Sequence, residues 1–392
     1  MTMTSSRLPM STSLRQPRHG RPTRHVDMMM LLLTLAIVVF GNLAVYSAGQ
    51  GNVRRNKYAP RFYLLRQGTF TIVGLVLMAG VMLIDYRKLR DWAWIGYIGV
   101  CGMLILVVSK IGQTSKGAQS WFGFGSFQVQ PSEFAKVVMI VVLAAFLSVP
   151  RATLDFRRLL VALAIAGFPV ALVMLQPDLG TSMVFGVITV LILVVGGLQV
   201  RHFLLLTFVV ILGIGAIVRW GGLQDFQINR FTAFTQQSSA LSKNGNELTG
   251  AANNLKQSKI AIGSGGVFGQ GYRNGSQTKG GFVPEQNTDF IFSAVAEEFG
   301  FVGAGGLLVL FGLLIWRIWR TSQLASDLFG TLLCTGVLGL FMFQIFENVG
   351  MGMGVMPITG IPLPFVSYGG SAMIAYLMAI GLVLNVHSRR YR

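Results

Sequence analysis

"FVPEQNTDFIFSAVAEEFGF", residues 282–301, turns from polar to apolar within a few positions and sets four carboxylates, Glu285, Asp289, Glu297 and Glu298, around that turning point. Upstream is loop chemistry. Downstream the apolar run continues to about residue 316, long enough to cross a ~30 Å hydrocarbon layer as a helix. An ionised side chain at membrane depth costs about 2.5 to 3.5 kcal/mol on insertion scales, so such groups face a cavity or a partner. The stretch therefore reads as the mouth of a membrane span that carries acid for a reason.

The rest of the chain agrees. It has 392 residues, 53% hydrophobic and only 12% charged, with a mean hydropathy of +0.61. Apolar runs predict spans near 28–48, 65–84, 92–109, 132–149, 158–175, 182–198, 203–219, 290–316, 328–350 and 365–386, about ten in all. The expected fold is an all-α polytopic membrane protein with a long extracytoplasmic loop, about 220–289, between helices 7 and 8. Residues 1–27 are expected to form a disordered basic cytoplasmic tail, and 28–388 the transmembrane domain. The first run is too long, and follows too long a polar tail, to read as a cleaved signal peptide.

Lys and Arg set the expected orientation. Arg87, Lys88 and Arg90, Arg157 and Arg158, Arg201, Arg317 and Arg320, and Arg389 and Arg390 all fall on one side, which makes both termini cytoplasmic. The first outer loop, with Arg54, Arg55, Lys57, Arg61 and Arg66, runs against the rule; the later loops decide it. The net charge of +18 is spread over many membrane-flanking loops with no single basic domain, so membrane lipid rather than nucleic acid is the expected partner. Cys101 and Cys334 both fall inside predicted spans, which suggests neither a disulfide nor a zinc site.

His19, His25, His202 and His387 all fall on the predicted cytoplasmic side, which removes the commonest general base from the outer face. Of the 14 Asp and Glu, five (Asp27, Asp85, Asp91, Asp155 and Asp327) lie at cytoplasmic ends and nine lie outside or at outer helix ends. Chemistry on the outer face is then carboxylate chemistry.

Each candidate carries two readings. Asp289, after Asn287 and Thr288, is either a capping anion at a helix start or a reactive carboxylate. On a straight helix Glu297 lies ~12 Å deeper and ~80° round, and Glu297 and Glu298 read either as polar locks to a neighbouring helix or as catalytic groups. In "QVQPSEFAK" (128–136), Glu133 and Lys136 share a helical face, as a self-neutralising pair or with Lys136 meeting an anionic head group. Asp178 in "LQPDLGTS" (175–182) is a cap or a functional acid, and Trp121 in "SWFGFG" an interfacial aromatic or a platform for a sugar.

In the long loop, "TAFTQQSSALSKNGNELTGAANN" is polar enough to be flexible, whereas "KQSKIAIGSGGVFGQG" reads as a short helix in the membrane interface. Its glycines lack the preceding strand and the GK[ST] of a phosphate loop and read as turn formers. "MPITGIPLPFVSYGGSA" (356–372) packs Pro357, Pro362 and Pro364 with glycines, and irregular backbone at that depth belongs against protein or a wet cavity.

Together "GAQSWFGFGSFQVQPSEFAK", "QPDLGTS", "QSKIAIGSGGVFGQG", "PEQNTDFIFSAVAEEFGFVG" and "PITGIPLPFVSYGGSA", in this order, resemble the SEDS family of bacterial shape, elongation, division and sporulation proteins (RodA, FtsW, SpoVE), from about Leu31 to His387. The resemblance implies a ten-helix peptidoglycan glycosyltransferase that polymerises lipid II, releases undecaprenyl pyrophosphate and works with a class B penicillin-binding protein. It implies that Asp289 is the catalytic carboxylate, that Trp121, Glu133 and Lys136 line the active cavity, and that Asp178 is functional. Division-type members commonly have Arg seven residues after the Trp; Gln128 here, with "GSQTKGGFVPEQNTDF", favours the elongation type. The segment "TQQSSALSKNGNELTGAANNLKQS" lacks the family's usual DP and GY elements, which puts that loop's substrate contacts in question.

The implied reaction turns an α-linked donor into a β-1,4 linkage, an inversion that needs a base opposite the leaving group. Asp289 is the expected base. Lys136, Arg230 and Lys259, or a divalent cation such as Mg or Mn, are the candidates to neutralise the pyrophosphate. The competing classes are a lipid II flippase and a scaffold that recruits the penicillin-binding protein. Against a flippase stand the lack of evident paired, interrupted helices in two halves and the placing of the polar motifs at outer ends.

Overall fold

The computed structural model describes residues 26–55, 59–109, 112–115, 118–124, 127–149, 154–219, 250–283 and 285–391. The basic tail through His25 and the whole stretch 220–249, with Arg230, lie outside them.

The described helices are α1 (Met28–Arg55), α2 (Pro60–Leu83), α3 (Tyr86–Val108), α4 (Pro131–Leu147), α5 (Phe156–Met174), α6 (Leu179–Val195), α7 (Val200–Arg219), α8 (Gly250–Ser264), α9 (Ser276–Gly280), α10 (Ile291–Leu324), α11 (Leu328–Met353) and α12 (Gly370–Ser388). Seven of them are long and apolar enough to cross a membrane, α6 and the apolar part of α7 are shorter, and α4 spans 17 residues. These ten correspond to the ten expected spans. The chain is a multi-pass membrane protein.

Local chemistry sets the helix starts. Pro60 and Pro131 occupy first-turn positions, where the missing N–H costs nothing. Asp85, Asp155, Asp178 and Asp327 cap α3, α5, α6 and α11 by accepting backbone N–H bonds. α11 and α12 form the centre and are buried over most of their length, whereas α2, α3, α5 and α10 leave much of their apolar surface to lipid.

Three features depart from the expected outline. Between α3 and α4 lies a small antiparallel sheet, β1 (Gln113–Ser115), β2 (Ala118–Phe124) and β3 (Phe127–Val129), in the order β1-β2-β3. The last span begins at Gly370 rather than near 365, because the preceding backbone holds positive φ at Gly360 and Phe365. In the long loop, "GAANN" is not flexible coil but the first turn of α8. That helix is no free interfacial helix either: Leu255, Ser258 and Ala261 are buried, and Ser258 Oγ donates to the Gly352 carbonyl of α11 at 2.8 Å.

α10 is interrupted at Gly300, which takes φ 64° and ψ −166°. The freed backbone groups pair with the glycine loop after α8: the N–H groups of Gln270 and Gly271 donate to the carbonyls of Glu297 and Glu298 at 3.0 Å each, and those of Phe301 and Val302 donate to Gly266 and Val267 at 2.9 and 3.0 Å. A Cβ at Gly269 would lie 2.2 Å from the Glu298 carbonyl oxygen, so only glycine permits the approach. These glycines dock a loop onto a broken helix, a stricter duty than turning the chain. No other described span carries such a break.

Candidate active site

Asp289 lies half-buried in the turn 285–290, immediately before α10. The cap position belongs to Phe290, which makes no side-chain capping bond, so Asp289 does not serve as the N-cap. Since the helix starts at Ile291, a helical projection does not carry back to residue 289.

Three successive carbonyls fix this turn. Tyr368 N–H donates to Asn287 at 2.8 Å, Ser367 Oγ donates to Thr288 at 2.5 Å, and Asn348 Nδ2 donates to Asp289 at 2.7 Å. The donors belong to α11 and to the segment 354–369, the Pro-rich run expected to wall a pocket. Glu285 in the turn and Phe365 in that segment both hold positive φ, 57° and 63°, each a strain of about 1–3 kcal/mol that the surrounding bonds must maintain.

The same segment collects the other outer motifs. Gln67 of α2 donates to the Ser367 carbonyl at 3.1 Å and accepts from Gly369 N–H at 3.3 Å. Gln130, just before α4, donates its N–H to Ser371 Oγ at 2.9 Å. The start of α6 packs against Thr359 and Ile361 so closely that a Cβ at Gly180 would lie 2.9 Å from each. Thr359 Oγ1 donates to the Glu347 carboxylate of α11. Burial pushes the Tyr368 phenol above its ordinary value, against the pull of the Arg66 guanidinium beside it. Arg66, counted above only as loop charge, thus stands next to the residue that holds Asn287.

Glu133 and Lys136 form a 2.8 Å ion pair across the first two turns of α4, 3% and 1% exposed. The self-neutralising geometry is therefore present. Lys136 Nζ also lies 5.8 Å from the Tyr376 ring centroid. Asp178 accepts from Thr181 N–H at 2.9 Å and from Thr181 Oγ1 at 2.7 Å, so it caps α6. Trp121 is half-buried on β2, and Lys259 is exposed on α8.

Glu297 and Glu298 are locks. Glu297 accepts from the N–H groups of Gln277 and Thr278 at 2.7 and 2.9 Å and from Thr278 Oγ1 at 2.6 Å, which caps α9 from another helix. Glu298 accepts from Ser47 Oγ of α1 at 2.5 Å. The described histidines lie far from Asp289. His387 lies near the end of α12, 3.8 Å from Asp27, and the His202 ring lies 5.7 Å from that of Phe156 at the start of α5, tilted by 42°. Sixteen residues of α12 separate His387 from Ser371, roughly 24 Å of helix.

Residues that the sequence reading left unused include Gln344 and Asn348, both fully buried on α11, and Tyr376 on α12. Their signal was available: "QIFEN" places Gln344, Glu347 and Asn348 at i, i+3 and i+4, one polar face inside an apolar span.

The family model described as "Cell cycle protein", for FtsW, RodA and SpoVE, matches residues 27–392. The chain is 35% identical over 363 residues to the stage V sporulation protein E of Bacillus subtilis, covering 92% of this chain and 96% of that one. It is also 35% identical over 368 residues to the peptidoglycan glycosyltransferase MrdB of Escherichia coli, covering 93% and 94%. Among solved structures, a chain from work on the structural coordination of polymerization and crosslinking by a peptidoglycan synthase complex superposes with a TM-score of 0.78 at 31% identity, covering 94% of this chain and 99% of that chain. With the ten spans and the ordered motifs in place, the chain belongs to the FtsW/RodA/SpoVE family of cell cycle proteins.

Proposed function

We propose that this chain is a peptidoglycan glycosyltransferase that polymerises lipid II at the outer face of a bacterial cytoplasmic membrane. Its relatives named as peptidoglycan glycosyltransferases support the activity, and its likeness to a chain from a peptidoglycan synthase complex supports a class B penicillin-binding protein as the crosslinking partner. Gln128 and the run before Asp289 support an elongation role over division.

The observation that carries the mechanism is the three-point fixing of the Asp289 turn. A base must be held where the acceptor proton will be, and a group on a mobile loop loses that advantage. Asp289 takes the proton of the acceptor C4 hydroxyl as that oxygen attacks the anomeric carbon of the lipid-linked donor. The bond to the pyrophosphate breaks on the opposite face, and undecaprenyl pyrophosphate leaves with inversion.

The pyrophosphate of the donor carries two negative charges and gains a third as the bond to the sugar breaks, so its departure needs cations. Lys136 with its Glu133 partner, Lys259, Arg230 and, beside the Asp289 turn, Arg66 are the candidates to supply that positive charge. Among the described residues, no three or more His, Cys, Asp or Glu are grouped as metal ligands. Trp121, Glu133, Lys136 and Asp178 are assigned to the substrate cavity on the family resemblance. The meeting of α6 and the Asp289 turn on segment 354–369, and of α4 on the start of α12 that follows it, supports that assignment.

The test is polymer formation from lipid II by the purified chain fused to its partner, in detergent. Wild type makes polymer there, where no leaflets exist to be connected; an Asp289→Asn variant of equal yield and thermal stability makes none. Polymer from that variant would remove Asp289 as the base, and no polymer from wild type would favour a flippase or a scaffold.

A further inference from the structure

At the end of the bundle away from Asp289, the first turns of α3 and α5 and the last turn of α4 enclose a cavity of about 700 Å³. Arg90 enters it from α3, and Arg157 and Arg158 enter it from α5. Two of the charged groups in its wall are already engaged. Asp155 accepts from Phe156 N–H at 2.8 Å as the cap of α5. Arg158 closes the end of α4 by donating to the carbonyls of Phe146 and Val149 at 2.6 and 3.0 Å. The Arg90 and Arg157 side chains are exposed and make no ion pair among the described residues.

The rest of the wall is apolar and open to the membrane: Trp94, Val149 and Val161 are 45%, 52% and 47% exposed. Trp94 and Val161 each lie four residues, one helical turn, beyond Arg90 and Arg157 on the same helix faces. The cavity therefore presents two unmatched guanidinium groups at its rim and, about 6 Å deeper, an aromatic and aliphatic wall. The starts of α3 and α5 add the positive ends of two helix dipoles, and Arg158 covers the carbonyls at the negative end of α4.

We propose that this cavity is a binding site for one anionic phospholipid. The phosphate sits between Arg90 and Arg157, and an acyl chain runs along Trp94 and Val161. A soluble anion would leave the apolar wall uncovered, and a zwitterionic lipid would bring a cation to a rim that already carries excess positive charge. The site is separate from the Asp289 region and does not depend on the reaction proposed there.

The experiment reads tryptophan emission from the full chain in nanodiscs of neutral lipid doped with acyl-brominated phosphatidylglycerol or acyl-brominated phosphatidylcholine. Wild type should reach half-maximal quenching at a mole fraction about 30-fold lower for the glycerol lipid, the preference expected of two basic contacts near a membrane surface. That preference should vanish in Trp94→Phe and in the double variant Arg90→Gln/Arg157→Gln. It should persist in Arg157→Lys and in Lys88→Gln, which alters an exposed charge outside the cavity. An undiminished preference in the double variant overturns the assignment. So does abolition of the preference by millimolar glycerol phosphate, which would identify a site for soluble anions.

Discussion

Asn348 Nδ2 donates to the carbonyl of Asp289 at 2.7 Å and to that of Ile361 at 2.8 Å. One fully buried amide on α11 thus ties the turn that carries the carboxylate to the segment that faces it. Asn348→Ala removes both donors and leaves two carbonyls without them, at a cost of about 1–3 kcal/mol each. The larger effect falls on catalysis, since a displacement of about 1 Å in a reacting group costs on the order of 100-fold in rate. The expected result is a fall in kcat for lipid II polymerisation of at least tenfold with KM little changed, measured on protein that is still folded at the assay temperature. A wild-type kcat in that variant would show that the clamp does not position Asp289.

Glu297 predicts the opposite pattern. Its carboxylate accepts four bonds from residues 276–278 and touches nothing of the Asp289 turn among the described residues. Glu297→Gln keeps the size but replaces one acceptor oxygen with a donor facing N–H groups. It should lower unfolding stability by about 1–2 kcal/mol, the scale of a lost helix cap, through fraying of α9. The surviving folded protein should polymerise at near wild-type turnover. Thermal unfolding and turnover measured on the same preparation separate this structural loss from a catalytic one.

The two cases show what the sequence made legible. The ten spans followed from hydropathy, because each buries an apolar run of nearly membrane thickness. Asp289 stood out because an acid at a span mouth is expensive. The break at Gly300 was hidden, since "EEFGFVG" reads as an ordinary apolar helix with a tolerated glycine, and only the docking of residues 266–271 shows where its backbone groups go. Asn348 was visible as a polar residue in an apolar span, yet its partner carbonyl lies 59 residues away and no local pattern points to it. Glu133 and Lys136 showed their pairing by spacing alone, and the sequence carried no sign that both would be sealed from solvent.

Gly300 gives a backbone test. A Cβ there would stand 2.3 Å from Gly269 N and 2.5 Å from the Val267 carbonyl oxygen, on a φ of 64°. Gly300→Ala therefore either closes the break into continuous helix or pushes the glycine loop away, and both routes lose the four backbone bonds across it. The strain alone is about 1–3 kcal/mol. Thermal unfolding in detergent should fall well below wild type, and limited proteolysis should cut within 264–275 sooner. Wild-type stability with a protected loop would contradict the docking described here.

The Glu133–Lys136 pair separates fold from substrate. Both side chains are buried, so removing one partner strands the other charge, at about 3–5 kcal/mol. Glu133→Gln and Lys136→Met should each destabilise strongly. The double variant should recover most of that loss, because two neutral side chains of similar volume need no counter-charge. If the pair only braces α4, recovered stability brings recovered activity. The expected outcome is different: Lys136 stands against Tyr376 in the helix whose start also holds Gln130, and the pair is assigned to the substrate cavity. The double variant should therefore unfold near the wild-type temperature and still polymerise at least tenfold more slowly. A double-mutant cycle run in parallel on unfolding temperature and on kcat/KM for lipid II decides between the two, and matched recovery in both would reduce the pair to a structural brace.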